Sequence, residues 1–349
     1  MEMVGGLDLH RQQITFDIVD HGSGEVWRGR VWQPDRARVR RWLADDVARR
    51  AAGRPVRLAV EGCTGWRFVT EEITAAGFEA LVAEPAQTQA ARGPKRRAKT
   101  DRSDARLLRE LLEQDRLPLS WIPPAFVLEW RERIRLYKSL LDQRTAWTQR
   151  VHAELYQHGV AVPEDRIAST NTQAWLANGV ELSDAGRLRV RTGYQMIEAT
   201  NLALLPLRAE LVSFAKAQPA CRALADTHYG VGALTSVAVW TELGDCARFG
   251  RSDQAVRHAG IDITVDQSDG KGPGGRLSRQ GAPTLRWALF EAGKCGCRAT
   301  SPDRDYYTEV KARHGGKRAA LSVARKILRR CYHTLRSLDP AVVYAEPGV

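Results

Sequence analysis

The sequence predicts a mixed α/β layer at the N-terminus followed by all-α structure. Three closely spaced strand-like segments are typical of an antiparallel meander: residues 3–8, 13–19 and 25–32. Helix-like and strand-like segments then alternate, and from Pro123 onward long stretches of helical apolar spacing replace the strands. We therefore expect three domains: an α/β domain, residues 1–122, a helical hairpin or coiled coil, 123–220, and a mainly helical domain, 221–349.

The charge balance favours an anionic partner. The 349 residues include 53 Lys and Arg against 41 Asp and Glu, a formal net charge of +12, and 43% are hydrophobic. A surplus of this size points to nucleic acid before a membrane surface, because no lipid-anchor signal accompanies it. We expect a cytoplasmic protein, since Met1 to Gly6 contain no charged leader and no apolar run is long enough to span a bilayer. The six cysteines are scattered, and we expect them to be reduced and mostly buried.

Each element of the α/β domain has a local signal. Residues 13–19 alternate, with Ile14, Phe16 and Ile18 on one face. A helix is expected to start at Pro34 and to end before Gly53. The remaining elements are expected as strands at 56–61 and 78–82 and helices at 66–76 and 101–114.

Four acidic residues occupy positions suited to a metal site. Asp8 and Glu61 end predicted strands, and Asp101 and Asp104 lie one turn apart at the start of a predicted helix. Ligands gather at strand carboxyl ends in α/β sheets, and carboxylate oxygens suit Mg²⁺ or Mn²⁺. The alternative for Asp101 and Asp104 is ordinary helix capping, which also favours acids in a first turn.

A basic run precedes these helical acids and is a candidate phosphate contact. It contains Lys95, Arg96, Arg97 and Lys99.

Helical spacing dominates the middle of the chain. A heptad-like seam runs from Trp130 to Leu155, and a second long helix is expected from Asp184 to Lys216. An antiparallel hairpin explains both. Exposed arginines on the first helix would give it a second role in dimerisation or nucleic-acid contact: Arg131, Arg133, Arg135, Arg144 and Arg150.

The last third contains two glycine-rich signals. Gly230-Val231-Gly232 before a helix resembles a helix-hairpin-helix, whose backbone amides can meet a phosphate. A second stretch, 270–281, contains Lys271 and places Ser278 between Arg276 and Arg279. A serine in such a loop is usually a turn residue, and no neighbouring His or Lys supplies a base, so spacing alone does not assign a nucleophile.

Together these motifs resemble one family, the insertion-sequence transposases of the DEDD type, which are bridge-RNA-guided serine recombinases. The motifs that carry the resemblance are Gly6-Leu7-Asp8, Val60-Glu61, Lys99-Thr100-Asp101-x-x-Asp104, Gly230-Val231-Gly232, Ala259-Gly260 and Arg276-Leu277-Ser278-Arg279-x-Gly281. The resemblance implies a RuvC-like (ribonuclease H-like) N-terminal domain and a C-terminal serine transposase domain in a bacterial, nucleoid-associated protein. Pro273, Gly274, Gly275 and Gln280 replace basic residues that are frequent in the family.

The resemblance also implies a reaction. Ser278 would attack a DNA phosphodiester to form a phosphoserine link, and Asp8, Glu61, Asp101 and Asp104 would hold divalent metal. Lys95, Arg96, Arg97, Lys99, Lys271, Arg276 and Arg279 would contact nucleic acid. The partners would be target and donor DNA, a structured noncoding bridge RNA and further copies of the chain in a dimer or tetramer.

Two other function classes stay open from the sequence. A RuvC-like nuclease, such as a junction resolvase, would use the same acids with water as nucleophile. A non-catalytic nucleic-acid-binding protein would explain the charge but not the four acids.

Overall fold

A six-stranded mixed sheet forms the centre of residues 1–122 in the computed structural model, which describes residues 1–91, 100–161, 180–264, 276–344 and 346. The strand order is β3-β2-β1-β4-β5-β6. Strands β1 to β3 form an antiparallel meander, β4 and β5 continue it in parallel with β1, and β6 pairs antiparallel with β5. The strands are β1 (Met3–Leu9), β2 (Gln13–Asp20), β3 (Val26–Trp32), β4 (Val56–Glu61), β5 (Glu79–Ala83) and β6 (Leu119–Ser120).

Helices cover both faces of this sheet. Helix α1 (Arg36–Trp42) passes through a π-helical turn (Leu43–Val47) into α2 (Ala48–Ala51), followed by α3 (Trp66–Ala75), α4 (Pro85–Ala91) and α5 (Asp101–Glu113). On one face Leu7, Phe16 and Leu58 form a core with side chains of α1 and α3. On the other face Val4 and Ala59 pack against α5. The alternation along β1 thus separates residues that face α1 and α3 from those that face α5.

Local chemistry explains where the α/β elements differ from expectation. Helix α1 begins at Arg36 and not at Pro34, because the Asp35 carboxylate caps it and accepts from the backbone amide of Arg38 at 2.8 Å. Strand β6 and helix α4 are additional elements that the sequence did not predict. The prediction that Ile14, Phe16 and Ile18 share a face is confirmed, since all three lie in one core cluster.

The chain divides into two compact units, Met1–Ile122 and Pro123–Val349. The second is mostly helical, as expected, and a separate domain beginning at residue 221 stays a prediction. Its helices are α6 (Ala125–Gln157), α7 (Asp184–Ala217), α8 (Pro219–Thr227), α9 (Ala233–Leu243), α10 (Ser252–His258), α11 (Pro283–Lys294), α12 (Arg304–His314), α13 (Gly316–Ser337) and α14 (Pro340–Val343). Short 3-10 turns lie at Cys246–Arg248 and Cys295–Cys297, and a two-stranded hairpin pairs β7 (Ile263–Thr264) with β8 (Arg276–Leu277).

Helices α6 and α7 form the expected antiparallel hairpin. Gly193 packs against Val151 near one end of the hairpin. Near the other end Trp130 stacks on Phe214, with 3.7 Å between the ring centroids. The expectation of an exposed Arg131 is wrong, because this guanidinium donates to the carbonyl of Thr241 on α9 at 2.9 Å. The neighbouring Arg135 pairs with the buried Glu242 at 2.6 Å, so both arginines attach α6 to α9.

Within the described residues, no helix combines the length and the apolar composition that a membrane span requires. All six cysteines are free, as expected. Only three are fully buried, Cys221, Cys246 and Cys331.

Candidate functional site

The first candidate site lies where the central strand β1 ends. Asp8 is the penultimate residue of β1 and is 6% exposed. Glu61 ends the neighbouring parallel strand β4, one position beyond the Leu7–Val60 pair of the register. The carboxyl ends of the two strands therefore place both acids at the same edge of the sheet.

A glycine on β1 lets helix α5 approach this edge. Gly6 and Asp8 lie on the same face of the strand. A Cβ at Gly6 would lie 2.1 Å from the carbonyl oxygen of Ala105 and 2.6 Å from the amide nitrogen of Arg109. Only glycine permits this backbone-to-backbone contact, so the Gly6-Leu7-Asp8 motif positions the helix as well as the acid.

A buried ion pair fixes the same helix on the sheet. Arg109 of α5 donates through Nε to Asp17 of β2 at 2.5 Å, and Arg28 of β3 donates to the other oxygen of Asp17 at 2.6 Å. Asp17 pairs with Gly6 in the strand register, so the ion pair lies next to the glycine contact. A buried charge is costly when it is unpaired, so this contact strongly favours one position of α5.

Capping of α5 does not depend on its acidic residues. Thr100 is the N-cap, and its hydroxyl accepts from the amide of Ser103 at 3.2 Å. Ser103 returns the contact by accepting from the amide of Thr100 at 3.0 Å, which completes a capping box. Asp101 and Asp104 follow in the first turn.

Asp101 meets Asp8 and a histidine that the sequence analysis did not select. The potential metal-ligating atoms of Asp8, His10 and Asp101 all lie within 4.8 Å of one another. Among the described residues, these three side chains form a group that could hold a metal ion. His10 Nε2 is 3.1 Å from Asp8 Oδ2 and 3.6 Å from Asp101 Oδ1. Gln13 Nε2 donates to the second oxygen of Asp101 at 2.7 Å. The signal for His10 is its place two residues after the strand-end acid.

Electrostatics show that negative charge is concentrated here. The pKa of Asp8 is raised to about 6, mainly by burial and further by the charges of Asp104 and Asp101, while His10 opposes the shift. Burial, with the charges of Glu61 and Asp8, also raises the pKa of the Cys63 thiol. A cation bound among these oxygens would relieve this repulsion, and carboxylate oxygens are the donors that Mg²⁺ and Mn²⁺ prefer.

The four predicted acids are therefore not equally placed. The structure brings Asp8 and Asp101 together, and Asp104, 8% exposed, acts on Asp8 through its charge. Glu61 occupies the adjacent strand end, and its carboxylate lies outside the group of atoms formed by Asp8, His10 and Asp101.

The second candidate site surrounds Ser278 in the unit Pro123–Val349. Ser278 follows β8, and its hydroxyl donates to a carboxylate oxygen of Asp262, which precedes β7. The amide of Ser278 also donates to the Asp262 carbonyl at 3.3 Å, and the amide of Arg279 donates to the carbonyl of Gly260 at 3.2 Å. Asp262 was not predicted, because the hairpin pairs residues that are sixteen positions apart.

Two glycines allow the chain segments of this site to cross. Gly260 has a φ of +65°, and a Cβ there would lie 2.6 Å from the amide nitrogen of Gly281. A Cβ at Gly281 would lie 1.9 Å from the carbonyl oxygen of His258. The backbone of the Ala259-Gly260 motif therefore packs directly against the backbone of the Ser278-Arg279-x-Gly281 motif, and a glycine in each motif makes this possible.

Arginines surround the serine. Arg279 is exposed and adopts a φ of +54°, and Arg286 donates to the carbonyl of Gly281. Burial and the nearby charge of Arg279 lower the pKa of Arg286, so positive charge is crowded at this point. An anionic phosphate would be favoured there.

Most of the other residues predicted to contact nucleic acid lie outside the described residues. They are Lys95, Arg96, Arg97, Lys99, Lys271 and the side chain of Arg276. Of the two glycines in the hairpin-like motif, Gly230 fits against the backbone of α11, where a Cβ would be 2.7 Å from the carbonyl oxygen of Ala292. Gly232, at the start of α9, faces open space.

Comparison with known proteins gives three matches. Residues 5–159 match a family model of IS110 DEDD transposases, described as "Transposase", and residues 222–308 match the "Transposase IS116/IS110/IS902 family". The chain is 28% identical over 269 residues to "Putative transposase y4qE" of Sinorhizobium fredii (strain NBRC 101917 / NGR234). That alignment covers 76% of this chain and 64% of the relative, so the chain spans under two thirds of the relative's length. The two family matches include the residues of the two candidate sites, so the chain is similar to IS110 transposases in both places.

Proposed function

We propose that the chain cuts and exchanges DNA strands as a transposase, with divalent metal in its α/β unit and a serine nucleophile in its helical unit. The observation that carries the proposal is the group formed by buried Asp8, Asp101 and His10 at the end of the central strand, whose ligand atoms lie within 4.8 Å of one another. A buried carboxyl with a raised pKa beside a second acid is costly in a fold, and metal binding explains why it is there.

The α/β unit is proposed to be RuvC-like. An antiparallel β3-β2-β1 meander continued by parallel β4 and β5 is the arrangement that a ribonuclease H-like fold requires, and the metal-binding acids then lie on β1, on β4 and on a later helix.

Asp8 and Asp101 would hold the Mg²⁺ or Mn²⁺ ion, with Glu61 and Asp104 completing the acid set. A bound ion supplies charge for the phosphate during phosphoryl transfer. Gln13 orients Asp101 through its amide, and His10 bridges the two carboxylates in the metal-free protein.

Ser278 would be the nucleophile. Its hydroxyl attacks the scissile phosphodiester, forms a phosphoserine link and releases a 3′-hydroxyl, which later rejoins another strand. The energy conserved in the link allows rejoining without ATP. Support comes from the match of residues 222–308 and from the crowded arginines Arg279 and Arg286.

Partners are proposed from charge and family. A net charge of +12 suits target and donor DNA and a structured bridge RNA that supplies specificity by base pairing. We further propose a homo-oligomer in which the acids of one protomer and Ser278 of another work on the same DNA. RNA co-purifying with the expressed element is expected, whereas recombination by an RNA-free monomer would contradict both proposals.

A metal-dependent endonuclease that uses water is the second candidate, because the Asp8 cluster by itself suffices for it. Cleavage of element-end DNA by wild-type protein and by Ser278→Ala separates the two. We expect Ser278→Ala to bind DNA and metal but not to cut. Free 5′-phosphate ends produced by Ser278→Ala at the wild-type rate would establish the nuclease instead.

A further inference from the structure

We propose that Asp262 is the general base that takes the hydroxyl proton of Ser278 during strand cleavage. The inference rests on the proposed serine mechanism and adds a catalytic residue to it. Spacing alone leaves Ser278 without a base, and the pairing of β7 with β8 supplies one, because Asp262 directly precedes β7.

The geometry of the pair is suited to proton transfer. Ser278 Oγ donates directly to Asp262 Oδ1, so the proton already points at its acceptor. The two residues are also joined through the backbone, since the amide of Ser278 donates to the carbonyl of Asp262 at 3.3 Å. The Gly260–Gly281 crossing fixes the flanking segments. Because the backbone on both sides of the two residues is held in place, the serine and the carboxylate are preorganised for proton transfer.

The charged groups around Asp262 leave this oxygen available. Arg257 Nε lies 4.0 Å from the other oxygen, Oδ2. Arg325 donates to the carbonyl of Ile261 at 2.6 Å and interacts electrostatically with Asp262. Neither cation contacts Oδ1, so this oxygen stays in hydrogen-bond contact with the serine hydroxyl.

The proposed step balances as follows. The bond from Ser278 Oγ to phosphorus forms, the bond from phosphorus to the 3′ oxygen breaks, and the serine proton moves to Asp262. The departing 3′ oxygen takes a proton from solvent. In the rejoining step a 3′-hydroxyl attacks the phosphorus and loses its proton to solvent, the bond from phosphorus to Ser278 Oγ breaks, and protonated Asp262 returns its proton to the serine oxygen.

The test measures the single-turnover rate of covalent protein–DNA adduct formation with metal at saturation. General base catalysis contributes roughly 10²–10⁴-fold, so Asp262→Asn should slow adduct formation by that factor while DNA affinity stays unchanged. Asp305→Asn, on the exposed surface of α12, is the matched control and should react at the wild-type rate.

The pH dependence separates a base from a residue that only positions the serine. With a side-chain base taking the serine proton in place of hydroxide, the wild-type rate should be level from about pH 7 to 8.5. Without the base, hydroxide must replace it, so the Asp262→Asn rate should rise about tenfold per pH unit. A slow variant with a level profile would overturn the assignment, as would a wild-type rate that itself rises tenfold per unit.

Failure of the inference differs from failure of the proposed function. If wild-type protein forms an adduct and Asp262→Asn forms it equally fast, only the base assignment is wrong. If wild-type protein cuts DNA without an adduct, the serine mechanism falls and the base assignment falls with it. The wild-type pH profile decides the matter if Asp262→Asn does not fold.

Discussion

At the scale of single residues, the residues that cap helix α5 are not the acidic residues that form the candidate metal site. Thr100 and Ser103 satisfy the free amides of the first turn through a capping box. Asp101 therefore has no capping duty, and its carboxylate instead contacts Gln13 and approaches His10. The capping alternative, which the sequence leaves open for Asp101 and Asp104, is thus less able to explain them.

Substitutions of the adjacent residues Thr100 and Asp101 should therefore have opposite effects on stability and on metal affinity. Thr100→Ala should lower the free energy of unfolding by about 0.5–2 kcal/mol, the usual cost of a lost cap, and leave Mn²⁺ affinity unchanged. Asp101→Asn should retain stability and lose Mn²⁺ binding and recombination. Calorimetric titration with Mn²⁺ and urea unfolding measure the two quantities. Normal Mn²⁺ affinity in Asp101→Asn would contradict the metal assignment.

Asp8 predicts how the stability of metal-free protein depends on pH. Its folded pKa of about 6 lies above the usual 3.8, so the protonated carboxyl stabilises the fold below about pH 4. This stabilisation is lost as the pH rises through about 6, and its size is about 3 kcal/mol for a shift of this kind. Bound metal reverses the preference, because the ligand must be ionised.

Urea unfolding in EDTA between pH 4.5 and 7.5 tests this. Wild-type protein should lose stability over the lower half of that range, up to about pH 6, and level off above it, and Asp8→Asn should be flatter and more stable at pH 7.5. Added Mg²⁺ should stabilise only the wild type. An Asp8→Asn variant less stable than wild type at pH 7.5 in EDTA would show that the buried carboxylate is satisfied without metal.

At the scale of elements, the site depends on how closely one helix approaches one strand. Gly6 removes the side chain that would separate β1 from α5, and the Asp17–Arg109 pair fixes the helix beside it. The N-terminus of α5 therefore reaches the end of β1, where Asp8 lies. The geometry of the proposed metal site is a consequence of this packing.

Gly6→Ala should consequently damage the site as well as the fold. Overpacking of this kind costs about 1–3 kcal/mol, and the shifted helix should carry Asp101 away from Asp8 and weaken Mn²⁺ binding. Gly24→Ala is the control, since its φ of +74° makes it strained but nothing lies within 4 Å of its Cβ. It should cost about 1–2 kcal/mol and leave Mn²⁺ affinity unchanged. Equal Mn²⁺ affinities in the two variants would disprove the packing argument.

Elements with strong local signals could be predicted from the sequence, and contacts between distant segments could not. The alternation at Ile14, Phe16 and Ile18 and the helical spacing after Asp101 are local, and both elements are present. Strand β6 has only two residues next to Pro118, and it exists because β5 offers an open edge. Sequence spacing also left out His10, which matters only once α5 brings Asp101 to it, and Asp262, which reaches Ser278 through strand pairing.

At the scale of the whole molecule, the net charge of +12 explains nucleic-acid binding only if basic side chains are free to contact phosphates. Many arginines of the described residues are engaged in ion pairs, among them Arg109 and Arg135. The basic run before α5 thus becomes the first place to look for phosphate contacts, on the sequence alone.

Neutralising two residues of that run should flatten the salt dependence of DNA binding. Each phosphate contact contributes about 0.7–0.9 to the slope of log affinity against log salt, so Lys95→Gln with Arg96→Gln should reduce it by about two units. Fluorescence anisotropy over a range of salt concentrations measures the slope. An unchanged slope would assign the run to a solvated segment that makes no contact with DNA.

The most direct test of the account is a search for DNA covalently joined to Ser278. Wild-type protein with its co-purifying RNA and Mg²⁺ is mixed with element-end DNA nicked near the scissile phosphate, so that the rejoining strand diffuses away. After digestion, mass spectrometry should find a peptide that contains Ser278 and bears a nucleotide. Cleaved DNA with free 5′-phosphate ends and an unmodified Ser278 peptide would contradict the account.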